Sequence, residues 1–586
     1  MSEFRFSPRA NRANEIAWMP WGPDAFERAH AQDKPILLAI SAVWCHWCHV
    51  MDETTYSDPA VIAAINERYV PVRVDNDRRP DVNARYNMGG WPTTAFLAPD
   101  GTLLTGATYL PPEALRRALG DIASFYAGNK ETVAKRAAEG AARRESPNTS
   151  HDGLRDTMIV RLVEQMSESY DDEYGGFGDA PKFPQPEVLE FLLTEWRASG
   201  DQRLYSMVAE TVLAMARGGM YDHVEGGFFR YSTTRDWSVP HFEKMAEDHA
   251  GLLRVLAQLA IFSRATEFRA ILRSALTYVR DVLRDPHTQL FAGSQDADEE
   301  YFALPIEERR KREAPFVDRT AYTNWTCALA GAWFWAARAL DDDAIMRDAA
   351  LTLDAVAERA IDADGLAYHF IVPGKPPEIR GLLTDQAAYL RALLDGHEIS
   401  GEDRFLQRAQ ALADAIMGRF ESEDGGFYDH IAAEPQLGRL GVADRPIVDN
   451  AVVAEALLRL GALLDAAGYR EHAARALALY GRTYASAGSF AAAYGRALRR
   501  LLSPEVSVRI VGSPDATDDF REAAVRLPAT ALTVRTIPPD DTRAAALPPE
   551  PRLAAYVCAG SVCGAPVLEA AGLREAYDNL VGAQPL

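Results

Sequence analysis

From about residue 155 to residue 502, apolar residues recur at helical spacing with few interruptions. The period predicts helices near 155–170, 186–198, 203–217, 246–263, 265–284, 324–339, 344–360, 385–398, 403–420, 450–466, 469–487 and 489–502, which pair into six hairpins. The first 130 residues follow another rhythm. A short helix at 23–32 ("PDAFERAHAQ") precedes "KPILLAISA", a continuous apolar run of the kind that makes a buried strand. A helical segment, "HVMDETTYSDPAVIAAINERY", follows, then a strand, "YVPVRVD". "GGWPTTAFLAPDG" holds a strand ending in a Pro-Asp-Gly turn, and "TLLTGATYL" pairs back on it. "PPEALRRALGDIASFYAG" closes the segment as an amphipathic helix with proline at its start. After residue 503, "EVSVRIVGS", "TALTVRTIP" and "LAAYVCAGSVC" read as strands, with a helix at "DATDDFREAAVRL" and a proline-rich break near 538–551.

The hairpins share a local pattern. "EDHAGLLRVLAQLA", "TDQAAYLRALLDGHE" and "VDNAVVAEALLRLGALL" each start with Asp, then His, Gln or Asn, then Ala and a helix. Glycine turns recur after the outgoing helices, at "YGGFGD" (174–179), "EGGFFR" (225–230), "ADGLAYH" (363–369) and "DGGFYDH" (424–430). Six hairpins with repeated turns predict a closed (α/α)6 toroid, because closure buries the apolar inner faces that a lone hairpin exposes. The turns then gather on one rim, and Asp248, Asp385 and Asp449 start inner helices facing the cavity. The competing reading is that these Asp residues are N-caps, each worth about 1 kcal/mol. One loop stretch is richer than capping requires. It carries Asp222, His223, Arg230, Tyr231, Trp237, His241, Glu243 and Lys244, and "AGSQDADEE" adds Asp296 and Asp298. Carboxylates, histidine and aromatics around a pocket suit sugar recognition and acid–base chemistry, and they also suit a salt-bridged structural network.

Residues 43–51 read "VWCHWCHVM". Strand, CxxC, helix, strand, then Trp91-Pro92 and a hairpin is the thioredoxin-like order. A cysteine at a helix N-terminus meets unpaired N–H groups and the positive end of the helix dipole, which favour thiolate over thiol. Cys45, the first and more exposed, is the expected nucleophile, and Cys48 the resolving cysteine. His46 adds positive charge beside Cys45 when protonated. Pro92 is expected to face the pair from a cis peptide bond. Three other readings stay open: a c-type haem anchor, which needs an exported protein and an axial partner; a zinc half-site, whose other half could come only from His49 or distant residues; and a buried inert pair. The remaining cysteines are Cys327, Cys558 and Cys563, and the CxxxxC spacing of the last two favours two buried thiols.

Composition narrows the class. A chain of 586 residues with 48% hydrophobic content holds several cores. With 62 Lys and Arg against 84 Asp and Glu, the net charge of −22 argues against nucleic acid as a partner. No apolar run is long enough to span a membrane. The first residues lack the apolar middle of a signal peptide, so a cytoplasmic protein is expected. Neither a metal nor a cofactor is expected.

The motifs "CHWCHVM", "GGWP", "PKFPQP" (181–186) and "VPHFEKM" (239–245) together resemble the spermatogenesis-associated, thioredoxin-like protein family. That family joins a thioredoxin-like domain to a six-hairpin toroid like those of glycan-processing enzymes and N-acylglucosamine 2-epimerases. The resemblance places Cys45, Cys48 and Pro92 on the family's CxxC and proline positions, His241, Glu243 and Lys244 on its toroid motif, and Asp296 and Asp298 on its "DAD" loop. The chain departs from the family pattern at "SAVW" before the first cysteine, at "EEYFALPIEERRKREAPFVDR" after the "DAD" loop, and at "YTNWTC". The expected architecture is multidomain, α/β plus all-α: a thioredoxin-like domain over 1–130, a linker over 131–153, an (α/α)6 toroid over 154–502 and a small C-terminal α/β subdomain over 503–586. The expected activity is thiol–disulfide exchange with a protein thiol or disulfide partner, the toroid holding that partner or a small carbohydrate-like ligand. The alternative is a carbohydrate-active toroid, isomerase, epimerase or hydrolase-like, with a regulatory thioredoxin-like module.

Overall fold

The computed structural model describes residues 4–133, 135, 153–263, 265–431, 437–541, 544, 547 and 553–581. Most of the expected linker and much of the proline-rich break therefore lie outside the described residues. The chain divides into two compact units, 1–148 with 432–444, and 149–431 with 445–586.

The first unit is built on a four-stranded sheet. Its elements are α1 (Pro23–Gln32), β1 (Ile36–Ser41), α2 (His46–Glu53), α3 (Pro59–Arg68), β2 (Val70–Asp75), α4 (Pro80–Tyr86), β3 (Thr93–Leu97), β4 (Leu103–Ala107) and α5 (Pro112–Gly128). The strand order is β2-β1-β3-β4. β1 runs parallel to β2, antiparallel to β3, and β3 antiparallel to β4. Strand alternation splits β1 between two cores. Ile36, Leu38 and Ile40 pack with Trp21 and Phe26, while Leu37 and Ala39 pack with Met51, Tyr56 and Leu119. The segment expected as one helix after Cys48 is two. Asp58 caps the second, accepting from the amides of Ala60 and Val61, and Pro59 sits at its first position. Residues 437–444 also belong to this unit. Leu437 and Leu440 join the core around Trp21 and Phe26. The Arg439 amide donates to the Tyr86 hydroxyl at 2.7 Å, and the Arg85 guanidinium to the Val442 carbonyl at 3.1 Å.

The second unit holds the toroid. Its outer helices are α6 (Asp156–Glu168), α8 (Gln202–Arg217), α10 (Thr266–Tyr278), α12 (Asp343–Arg359), α14 (Asp403–Phe420) and α16 (Gly468–Ala478). Its inner helices are α7 (Pro186–Ser199), α9 (Ala246–Ser263), α11 (Thr323–Leu340), α13 (Leu383–Ser400), α15 (Ile447–Leu464) and α17 (Ala492–Leu502). Each inner helix packs on the next, and α17 packs back on α7, so the ring closes. The expected helix over 469–487 ends at Ala478; short helical turns with a break at Gly488 (φ 60°) carry the chain into α17.

The repeated Asp-[His/Gln/Asn]-Ala motif has a mechanical meaning. The residue after Asp pins the preceding glycine turn to its inner helix. His249 Nε2 accepts from the Phe228 amide at 2.9 Å, and its Nδ1 meets the Met245 carbonyl. Gln386 Oε1 accepts from the Ala367 amide, and its Nε2 donates to the Leu382 carbonyl. Asn450 does the same with the Phe427 amide and the Pro446 carbonyl. Three residue types satisfy one pair of buried backbone groups. Gly227 is required by this fit: φ is 82°, and a Cβ there would lie 2.9 Å from His249 Nε2.

The C-terminal elements are β5 (Glu505–Val511), α18 (Asp518–Val525), β6 (Ala531–Ile537), β7 (Ala554–Ala559), β8 (Val562–Cys563) and α19 (Leu573–Val581). Their sheet order is β6-β5-β7-β8, with β5 parallel to β6 and antiparallel to β7, and β7 antiparallel to β8. This is the strand plan of the first unit's sheet. Cys558 and Cys563 face each other in register on β7 and β8, with Cα atoms 4.0 Å apart, and form a disulfide. The expectation of two buried thiols is thereby corrected: a hairpin brings side chains five residues apart directly opposite one another.

Candidate functional site

The sulfur site is made by a helix start. Cys45 is the N-cap of α2, and its Sγ accepts a hydrogen bond from the Cys48 amide at 3.1 Å. The amides of Cys48 and His49 both donate to the Cys45 carbonyl. Cys45 and Cys48 are joined as a disulfide. Cys45 is 5% exposed and Cys48 2%, so the nucleophile is less open than its position in the motif predicts. His46 and Trp47 are exposed, Trp47 by 51%, and the Trp47 ring lies 5.3 Å from that of Tyr109. The Trp91–Pro92 peptide is cis, and the Trp91 ring meets Trp44 edge-on at 5.5 Å. Trp44 donates to Asp77 at 2.7 Å. One turn below Cys48, Asp52 receives a bidentate pair from Arg73 at 2.7 and 3.0 Å, both side chains buried. Burial holds the His49 pKa below the ordinary imidazole value.

The toroid candidates sort into three arrangements. The first is a turn clamp. Lys244 Nζ donates to Asp222 and to the Gly226 carbonyl, both at 2.8 Å, as Lys182 does to Asp171 and Gly175 one hairpin earlier. Burial pulls Lys244 down to about 8 against the pull of Asp222. Burial works against ionisation of Asp222, but Lys244 and Arg309 hold its carboxyl below the ordinary range. Trp237, fully buried, donates to the carbonyls of Tyr174 and Gly175. Arg309, from the stretch where the chain departs from the family pattern, adds a 2.7 Å bond to Asp222.

The second arrangement surrounds His241. Its ring stacks on Tyr231, which stacks on Phe183, and its Nδ1 bonds to Glu243. The Arg230 amide donates to the Glu243 carbonyl. Glu243 Oε1 and Asp248 Oδ2 are buried without a hydrogen-bond partner among the described residues. Burial raises Asp248 to about 7; Arg230 opposes this, while Glu247 and Glu243 add to it. The third joins Asp385 to His369, whose Nδ1 lies 3.0 Å from both carboxylate oxygens. Asp385 also accepts from the Asn324 amide. Asp449, near Asp385 and Asp429, is raised to about 7, chiefly by burial. Asp385 and Asp449 lie inside the first turns of α13 and α15, past the cap residues Leu382 and Pro446, so neither is an N-cap. Asp298 does cap, accepting from the Tyr301 amide at the start of a short helix. Asp296 accepts from the Ala297 amide, and exposed His223 lies 3.2 Å from the Gly218 carbonyl.

Residues 7–143 match the family described as Thioredox_DsbH, protein of unknown function, DUF255. Spermatogenesis-associated protein 20 of Rattus norvegicus is 37% identical over 314 residues, 49% of this chain and 39% of that protein. The human protein of the same name is 35% identical over 342 residues, 53% of this chain and 42% of that protein. The chain is similar to the spermatogenesis-associated, thioredoxin-like proteins. These matches span about two fifths of the curated relatives' length. An 81-residue stretch is also 31% identical to thiol:disulfide interchange protein DsbD of Pseudomonas fluorescens, over 13% of this chain and 14% of that one. Among solved structures, cellobiose 2-epimerase from Bacillus thermoamylovorans B4167 superposes with a TM-score of 0.46 at 13% identity, covering 56% of this chain and 88% of that one.

Two features of the chain lie outside its recognisable motifs. His369 was within reach: it ends "ADGLAYH", a turn already singled out, but the partner Asp385 comes from the helix that follows. Residues 437–444 gave no periodic signal, because their docking uses two leucines and backbone groups. Among the described residues, no His, Cys, Asp or Glu cluster has metal-binding geometry, and no helix is long and apolar enough to cross a membrane.

Proposed function

We propose that the protein is a thiol–disulfide oxidoreductase whose working pair is Cys45 and Cys48. The observation that carries this is the Cys45 sulfur at the N-cap of α2, accepting the Cys48 amide. In the reduced protein that amide and the helix dipole stabilise a Cys45 thiolate. The thiolate attacks one sulfur of a partner disulfide, forming a Cys45–partner disulfide and releasing the other partner sulfur as a thiolate. Cys48 then loses its proton and attacks Cys45, and the first partner sulfur leaves. Two electrons pass to the partner, and the Cys45–Cys48 disulfide remains. Run backwards, the same steps oxidise a partner dithiol. The exposed Trp47, with the half-buried Tyr109 beside it, offers an apolar seat for a protein partner. The proposed setting is cytoplasmic. The test is reduction of insulin or a small disulfide by the wild type and by Cys45→Ser; equal rates end this reading.

A second reading rests on the toroid. His241 with Glu243, His369 with Asp385, and carboxyls at Asp248 and Asp449 raised to about 7 are ingredients of an acid–base site for a carbohydrate-like ligand. Thermal-shift screening against a broad sugar panel, with Asp449→Asn and His241→Ala as controls, tests it; no ligand across the panel counts against it.

A further inference from the structure

Two turns or more beyond the starts of α9, α13 and α15, the ring is charged where most helical cores are apolar. A cavity of about 120 Å³ lies there, closed on one side by residues of α18 and β6. Six arginines and four carboxylates wall it. The carboxylates are already engaged. Glu190 binds Arg391 and Arg496 at 2.7 and 2.8 Å. Asp395 binds Arg254 and, at 2.9 Å, Arg459. Glu398 takes Arg459 at 2.6 Å, and Glu455 takes Arg496 at 3.1 Å.

Two guanidiniums are left over. Arg500 is buried, and its one hydrogen bond among the described residues goes to the Leu532 carbonyl at 3.1 Å. Arg197, half-buried, bonds to the carbonyls of Leu527 and Ala529 at 2.6 and 3.4 Å. Neither has a carboxylate within ion-pair distance among the described residues. The Trp335 Nε1–H, also in the wall, is buried without an acceptor among the described residues. Buried charge without a counter-charge costs several kcal/mol, and a buried donor without an acceptor about 1–3 kcal/mol. Burial pulls Arg500 down, with Glu398, Glu455 and Glu505 opposing it from beyond ion-pair distance, and pulls Arg197 to about 10. Burial also raises the pKa of Glu398, whose second oxygen has no partner among the described residues.

We propose that this cavity binds a small inorganic oxyanion of phosphate or sulfate type, with Arg500 and Arg197 supplying the charge and Trp335 Nε1 a neutral donor. Guanidiniums suit oxyanions because their planar N–H groups match paired oxygens. A tetrahedral anion offers acceptors to donors arriving from α7, α11 and α17 at once. The site uses none of the sulfur chemistry and stands or falls apart from it.

The test is calorimetric titration of the full chain with inorganic phosphate and with sulfate, against sodium chloride at equal ionic strength. The expected result is saturable uptake near one anion per chain, with a rise in Tm that chloride does not reproduce. Arg500→Gln should weaken that affinity at least tenfold, and Trp335→Phe severalfold. Absence of saturable uptake by the wild type overturns the proposal, whatever the variants do. So does unchanged affinity in folded Arg500→Gln. Should Arg500→Gln not fold, unchanged affinity in Trp335→Phe overturns the tryptophan's part and the wild-type titration decides the rest.

Discussion

The two sheets of this chain follow the same strand plan, parallel, antiparallel, antiparallel, and place their sulfur differently. In the first, the loop leaving the central strand β1 ends in Cys45, which caps α2, so the sulfur accepts from the Cys48 amide. In the second, the loop leaving β5 reads Gly-Ser-Pro-Asp-Ala-Thr before α18 and carries no cysteine. Its cysteines lie across a hairpin at the sheet edge, and neither caps a described helix. A shared backbone plan therefore does not confer sulfur chemistry; the position of the thiol relative to a helix dipole does.

The largest contrast should appear in turnover. Cys45→Ser should lower disulfide reduction by ~100-fold or more, since no second nucleophile caps α2. Replacing Cys558 and Cys563 together by Ser should leave the rate within about twofold. A large loss from the second change would show that the edge pair takes part and would break the contrast.

The next effect is on folding of the first unit. Asp52→Ala strands the buried Arg73 guanidinium, and about 3–5 kcal/mol of stability should go, read by urea unfolding. The toroid should supply the acid sensitivity. His249 is buried and neutral, its pKa lowered to about 4 by burial. The unfolded imidazole takes its proton near 6.5 and the folded one does not, so stability is lost as pH falls from about 6.5 to 4. His249→Gln, which copies the bonds of Gln386, should remove about 3 kcal/mol of that loss relative to wild type. An unchanged acid limb in unfolding curves would contradict the clamp. Asp248 and Asp449 act in the opposite sense: their raised pKa values take stability away as pH rises from about 4 through 7. The smallest effect is at the edge disulfide, where closing so short a loop is worth about 2 kcal/mol. Replacing Cys558 and Cys563 by Ser, with Cys45–Cys48 kept intact, should lower the Tm of the second unit and leave that of the first.

Much of this was legible in the sequence. Helical period and the Asp-[His/Gln/Asn]-Ala repeat predict the ring, because each inner helix must pin the same turn. The CxxC after an apolar strand predicts the helix-capping sulfur. What was not legible depends on pairings distant in the chain. Nothing local to Asp222 says that Arg309 will reach it, and nothing local to "SVC" says that β8 folds directly opposite Cys558. The candidate Asp residues read equally well as caps until the helix starts at Leu383 and Ile447 put them inside the first turn.

The central claim is that the seat of Cys45 on α2 holds its sulfur as an anion. Alkylation rate of the reduced protein across pH, with Cys48→Ser to isolate residue 45, measures it most directly. The account predicts a titration midpoint inside the range of about 3.5–7.5 known for helix-capping thiols. A midpoint near 8.5, that of an ordinary thiol, would contradict it.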